Sequence, residues 1–291
     1  MKFLSLSKNS LVILHILSML FGLFGMVILP RQPEFVARMP EIGLHIYEFG
    51  LSKGGALYIV VGALALMIYG AEVLGLRRMW LFFIPACAIS LASELLGTST
   101  GFPFGAYEYT ELLGYKIAGL VPFAIPLSWF YMGLIAYLLA SALFKDVRGL
   151  LGTVGPLVLG AWMLTAWDLV LDPAMTLVSP SFWIWKEGGP FFGMPLQNFV
   201  GWFGTGLIFM IVARLLWREE PVVTREQLTL PLIIYTANIL FAVTLSLGAV
   251  ADTDLRIPVA MGLLLGQVPA MLCWWFAGLG AKAPMLDPQA E

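Results

Sequence analysis

The 291 residues are 60% hydrophobic and 12% charged, with a mean hydropathy of +0.89 and a net charge of −2. A soluble domain carries about 25% charged residues, so half that share cannot wet a globular surface of this size, and a bilayer must supply part of the solvent. A slightly acidic chain also lacks the basic field that nucleic acid requires.

A spanning helix needs about 20 apolar residues. Eight stretches meet that length, near 10–30, 54–75, 79–97, 118–144, 150–172, 195–217, 229–251 and 257–279. The first lacks a small-residue cleavage site, so it is expected to be a retained helix and not a cleavable signal. The segment 31–53 that follows carries Glu34, Glu41 and Glu48 at seven-residue spacing. It fits either a short interfacial helix or a solvated loop. Pro122, Pro126, Pro156, Pro258 and Pro269 fall within spans, where membrane helices tolerate them. The last two spans are separated only by the polar turn Ala251–Arg256. The chain is thus expected to be an all-α, polytopic transmembrane helical bundle forming one domain, 1–291.

Orientation follows from Lys and Arg in the short loops. One side holds Lys2, Lys8, Arg77, Arg78, Lys145, Arg148, Arg214, Arg218, Arg225 and Lys282; the other holds Arg31, Arg38, Lys53, Lys116, Lys186 and Arg256. This bias predicts a multi-pass protein of the cell inner (cytoplasmic) membrane with both termini in the cytoplasm.

Two long loops on the predicted non-cytoplasmic side stand apart. One runs from Ser93 through Thr100-Gly101-Phe102-Pro103-Phe104-Gly105-Ala106-Tyr107-Glu108-Tyr109; the other runs from Trp167-Asp168 through Asp172-Pro173 and Trp183-Ile184-Trp185 to Asn198. Their Gly, Pro and aromatic content points to folded loops. Asp168 and Asp172 share one helical face, with Cβ atoms about 5–6 Å apart. An ionised Asp at mid-span costs roughly 2.5–3.5 kcal/mol, so the pair is expected to face the bundle interior, where a protonated acid beside a carboxylate suits general acid catalysis. Glu94 lies at matching depth, and Asn198 opens the sixth span. Blander readings stand beside these: Asp172 before Pro173 fits a turn, and Glu94 fits a boundary carboxylate. Glu72, Asn238, Gln267 and His15 fit interhelical hydrogen bonding.

Trp129, Trp162, Trp167, Trp183, Trp185 and Trp202 can all approach this cluster. They fit an interfacial belt, or the walls of a cavity in which each ring face stabilises a cation by about 0.5–2 kcal/mol. An acid within aromatic walls is the equipment for protonating an alkene. Cys87 and Cys273 lie in apolar stretches and read as buried small hydrophobes, and two histidines, His15 and His45, are too few for a histidine-built metal site.

The run Glu94…Gly97…Thr100-Gly101-Phe102-Pro103-Phe104-Gly105-Ala106-Tyr107-Glu108-Tyr109 resembles the signature of the carotenoid 1,2-hydratase family of integral membrane proteins, as do Trp167-Asp168…Asp172-Pro173 and Trp185…Gly188-Gly189…Gly193-Met194-Pro195…Asn198…Gly201-Trp202. The resemblance is strong from the third to the sixth span. It implies addition of water, without cofactor or metal, across the terminal C1–C2 double bond of an acyclic carotenoid end of the lycopene or gamma-carotene type, giving a tertiary alcohol. The implied partners are the carotenoid, water, the bilayer and other enzymes of carotenoid biosynthesis.

On the residues themselves, Asp168 or Asp172 is assigned the proton transfer, with Glu94 and Asn198 orienting the pair. Trp167, Trp185, Trp202, Tyr107, Tyr109, Phe104 and Trp129 are assigned to the substrate pocket. Two other readings use the same residues. Asp168-x-x-x-Asp172 matches half of a magnesium-binding prenyltransferase site, which needs further carboxylates and basic residues for a diphosphate. A carotenoid-binding or transport protein would need a midplane site.

Overall fold

A computed structural model describes residues 2–279. Helix α1 (Lys2–Leu23) continues through a π turn, Phe24–Ile28, and a 3-10 turn, Leu29–Arg31; α2 (Pro33–Ala37), α3 (Glu41–Val73) and α4 (Leu76–Thr100) follow. After strands β1 (Tyr107–Tyr109), β2 (Lys116–Ile117) and β3 (Val121–Pro122) come α5 (Ala124–Leu143) and α6 (Gly149–Leu177). Strand β4 (Trp183–Trp185), α7 (Leu196–Trp217), α8 (Arg225–Gly248), α9 (Arg256–Met261), a π turn at Gly262–Gln267 and α10 (Val268–Ala277) are the last elements among the described residues. Among the described residues, eight helical segments are long and apolar enough to cross a membrane, the last being α9 to α10 taken together. Helices are the expected solution, because they satisfy every backbone group within the segment.

All eight expected spans are found, with boundary corrections. The third helix does not end before a loop at Ser93 but runs to Thr100, so Glu94 is helical. The fourth begins at Ala124 and not near 118. Residues 116–122, including Pro122, form a small hairpin in which Lys116 pairs with Pro122. In 31–53, α2 occupies Pro33–Ala37 and α3 already starts at Glu41, so both earlier readings of that segment give way to a long helix with a short one before it. The fifth helix passes through Pro173 to Leu177, and Asp172 lies within it, not in a turn. Lys282, used in reading the orientation, lies outside the described residues.

α5 and α6 form the centre: 89% and 78% of their most apolar windows are buried, against 33% for α1, α4 and α7. α5, apolar on every side, has the pattern of a helix surrounded by protein. The outer helices expose Leu, Ile and Phe side chains as a lipid-facing surface would. Several polar residues within spans pair across helices. His15 Nδ1 lies 2.8 Å from the Tyr58 carbonyl, and Tyr131 donates to Asn238 at 2.8 Å. Gln267 donates to Thr236 at 2.9 Å, and Lys8 pairs with Glu72.

Candidate active site

Glu94, Asp168, Asp172 and Asn198 come from α4, α6 and α7, and each is at most 3% exposed. α4 ends six residues after Glu94, at Thr100. Gly101 takes a left-handed conformation (φ 83°), and its N–H caps the Gly97 carbonyl at 2.8 Å. The chain then turns back along Phe102–Ala106 and enters β1. β1 pairs antiparallel with β4 from the second loop, Tyr107 opposite Trp185 and Tyr109 opposite Trp183.

Side chains alternate along a strand, and this ribbon uses the alternation to separate two chemistries. Glu108 and Ile184 face outward and are exposed. Tyr107, Tyr109, Trp183 and Trp185 face inward, and all four donate to the carboxylates. Tyr107 and Tyr109 both donate to Glu94 Oε2, the latter at 2.9 Å, while Trp129 Nε1 donates to Oε1 at 3.0 Å. Trp183 and Trp185 donate to Asp172 Oδ1 and Oδ2 at 2.5 and 3.0 Å. A hydrogen bond to a charged group is worth about 1.5–3 kcal/mol, so these donors offset part of the cost of burying a carboxylate at this depth.

Asp168 differs. Asn198 Nδ2 donates to its Oδ2 at 2.8 Å, but Oδ1 is buried and has no hydrogen-bond partner among the described residues. Burial first, then the adjacent Glu94 carboxylate, pushes the Tyr107 and Tyr109 phenols well above their ordinary range, so both stay neutral donors.

The carboxylates line an otherwise apolar space of about 910 Å³ including its mouth. Trp129 and Trp202 stack with centroids 3.9 Å apart, and Trp167 meets Trp202 edge-on at 5.9 Å. Phe104 is held between helices: a Cβ at Gly97 would lie 2.7 Å from its ring, and one at Gly201 would lie 2.5 Å from it.

The structure brings all eleven residues singled out from the sequence to this one cavity: Glu94, Phe104, Tyr107, Tyr109, Trp129, Trp167, Asp168, Asp172, Trp185, Asn198 and Trp202. Trp162 is not among its lining residues; it is 40% exposed and donates to the Leu265 carbonyl at 3.1 Å. Trp183 was grouped with the aromatics but not assigned to the pocket. The alternation Tyr-Glu-Tyr and Trp-Ile-Trp, read as two paired strands, would have found it. Ser18 and Gly22 of α1, Met26 of the π turn after it, and Gly50, Gly54 and Tyr58 of α3 also line the cavity and carried no signal of their own.

The family described as "Carotenoid biosynthesis protein" matches residues 54–269, well over half of the chain. Bisanhydrobacterioruberin hydratase of Haloarcula japonica is 36% identical over 136 residues, 47% of this chain and 45% of that protein. The match thus spans less than half the length of that curated relative. No solved structure matches the chain.

Proposed function

Since the chain belongs to the carotenoid biosynthesis protein family, we propose that it is a carotenoid hydratase that adds water to the terminal C1–C2 double bond of an acyclic end group. The name of the Haloarcula relative supports the reaction class. Substrates of the lycopene or gamma-carotene type fit an apolar cavity whose polar groups converge on one place.

The observation that carries the reading is the contrast among three buried carboxyl groups. Glu94 and Asp172 accept hydrogen bonds on both oxygens, which favours the ionised form, whereas Asp168 Oδ1 is unpartnered. Asp168 is therefore the acid. Its Oδ1 proton goes to C2, the alkene π pair forms the new C–H bond, and a tertiary cation remains at C1. The faces of Trp129, Trp167 and Trp202, with the Glu94 and Asp172 carboxylates, stabilise that cation electrostatically. Water adds to C1, and the proton it sheds returns to the Asp168–Asp172 pair, restoring the starting state. Asn198 fixes the Asp168 carboxyl plane through Oδ2, leaving Oδ1 to face the substrate.

The bias of Lys and Arg supports cytoplasmic termini, which puts the carboxylates in the outer half of the inner membrane. The test is expression in a bacterium that accumulates lycopene, followed by mass analysis of the pigments. A product heavier by the mass of water supports hydration, and unchanged mass with altered retention would mean cyclisation instead.

A further inference from the structure

The carboxylate cavity meets a second apolar space of about 750 Å³ between the end of α1, α2 and the first turns of α3; the two share Gly22, Met26 and Gly50. Glycines thin this seam: Gly22 on α1, Gly25 in the π turn after it, and Gly43, Gly50 and Gly54 on α3. A Cβ at Gly54 would meet nothing within 4 Å, and one at Gly22 only Phe241 Cε2 at 4.0 Å. The glycines therefore leave space and are not required by helix contact at these two positions.

At the rim, Phe21, Phe24, Phe35 and Ile46 are about half exposed, as lipid-facing side chains are. No charged side chain lines the groove, so it offers no partner for a headgroup or diphosphate. At its inner end stands the carboxylate cavity with the unpartnered Asp168 Oδ1. A stiff linear polyene whose end group reaches Asp168 must lead away from the site through a passage without polar groups. The ribbon β1–β4 closes the loop side with Glu108 and Lys186 on its outer surface.

We propose that the groove between α1 and α3 binds the polyene arm of the substrate and is its lateral passage from the bilayer, an inference that rests on the hydratase reading. Gly25→Phe fills the groove at a wall that the carboxylate cavity does not share. The probes are lycopene and geranylacetone, a short terpenoid with the same isopropylidene end and little chain behind it. Gly25→Phe is expected to weaken lycopene hydration about tenfold, chiefly through KM, with geranylacetone hydration kept within about twofold and Gly25→Ala close to wild type on both. Quenching of tryptophan fluorescence by lycopene, which reads binding without turnover, should weaken in parallel, and Gly43→Phe should repeat the pattern. Unchanged lycopene binding and hydration in Gly25→Phe overturns the proposal and leaves the groove to bilayer lipid. An equal loss on both substrates also overturns it, since the change would then act on the carboxylate site. Hydration of neither probe by the wild-type protein instead sinks the hydratase reading, and the passage falls with it.

Discussion

Trp183 Nε1 donates to Asp172 Oδ1 at 2.5 Å, and this bond fastens a loop strand to a carboxylate near the end of a central helix. Its neighbour two residues on, Trp185, takes the other oxygen at 3.0 Å. Each Asp172 oxygen thereby accepts a hydrogen bond, one turn beyond an Asp168 that keeps one oxygen unpartnered. Two identical side chains on one helical stripe are made chemically unequal by what the loops bring to them.

Asp168→Asn keeps the shape of the side chain and removes the transferable proton. Hydration of lycopene in pigment extracts is expected to fall by about a hundred- to ten-thousand-fold, with the protein still inserted in membranes. Hydration that persists in Asp168→Asn would move the acid role to Asp172 or Glu94.

Trp183→Phe and Trp185→Phe each leave one oxygen of Asp172 buried without a donor. A loss of about 1.5–3 kcal/mol is expected for each, read as a lower thermal midpoint in detergent. A double variant that matches the sum of the singles would mean that the two bonds act independently; a shortfall would mean that one loss already detaches the ribbon.

Gly201→Ala places a methyl group 2.5 Å from the Phe104 ring and 2.9 Å from the Pro103 carbonyl. Overpacking of this kind costs about 1–3 kcal/mol. Because Phe104 packs against Tyr107 and Trp129, with ring centroids 6.2 and 6.1 Å apart, activity should fall further than stability. Activity and thermal midpoint measured on the same preparation test this.

The raised phenols of Tyr107 and Tyr109 set an alkaline limit. Below the unfolded value, about 10, both states are protonated and these residues add no pH dependence; above it the unfolded chain ionises first and the native state loses stability. The thermal midpoint should therefore decline above about pH 10, and Tyr107→Phe should lessen the decline.

A chelator should leave hydration unchanged. Both Asp172 oxygens accept hydrogen bonds from indole N–H groups, which compete with a cation for that carboxylate. Restoration of activity by magnesium after chelation would favour the prenyltransferase reading instead.

The spans were legible because the bilayer imposes a length and a composition that sequence displays directly, and α7 falls where hydropathy alone puts it. The pairing of Asp168 with Asp172 was legible too, since helical geometry makes residues four apart neighbours. What neither pattern carried was how far α4 and α6 continue beyond their apolar cores, because a helix end is set by capping and by what packs on it, here Gly101 and the ribbon. The ribbon itself joins residues 107–109 to 183–185, and no local preference records a contact across that separation. Which carboxylate is saturated and which keeps an unpartnered oxygen is decided there. So is the part played by the glycines of α1 and α3, whose meaning lies in the space between two helices and not in either helix.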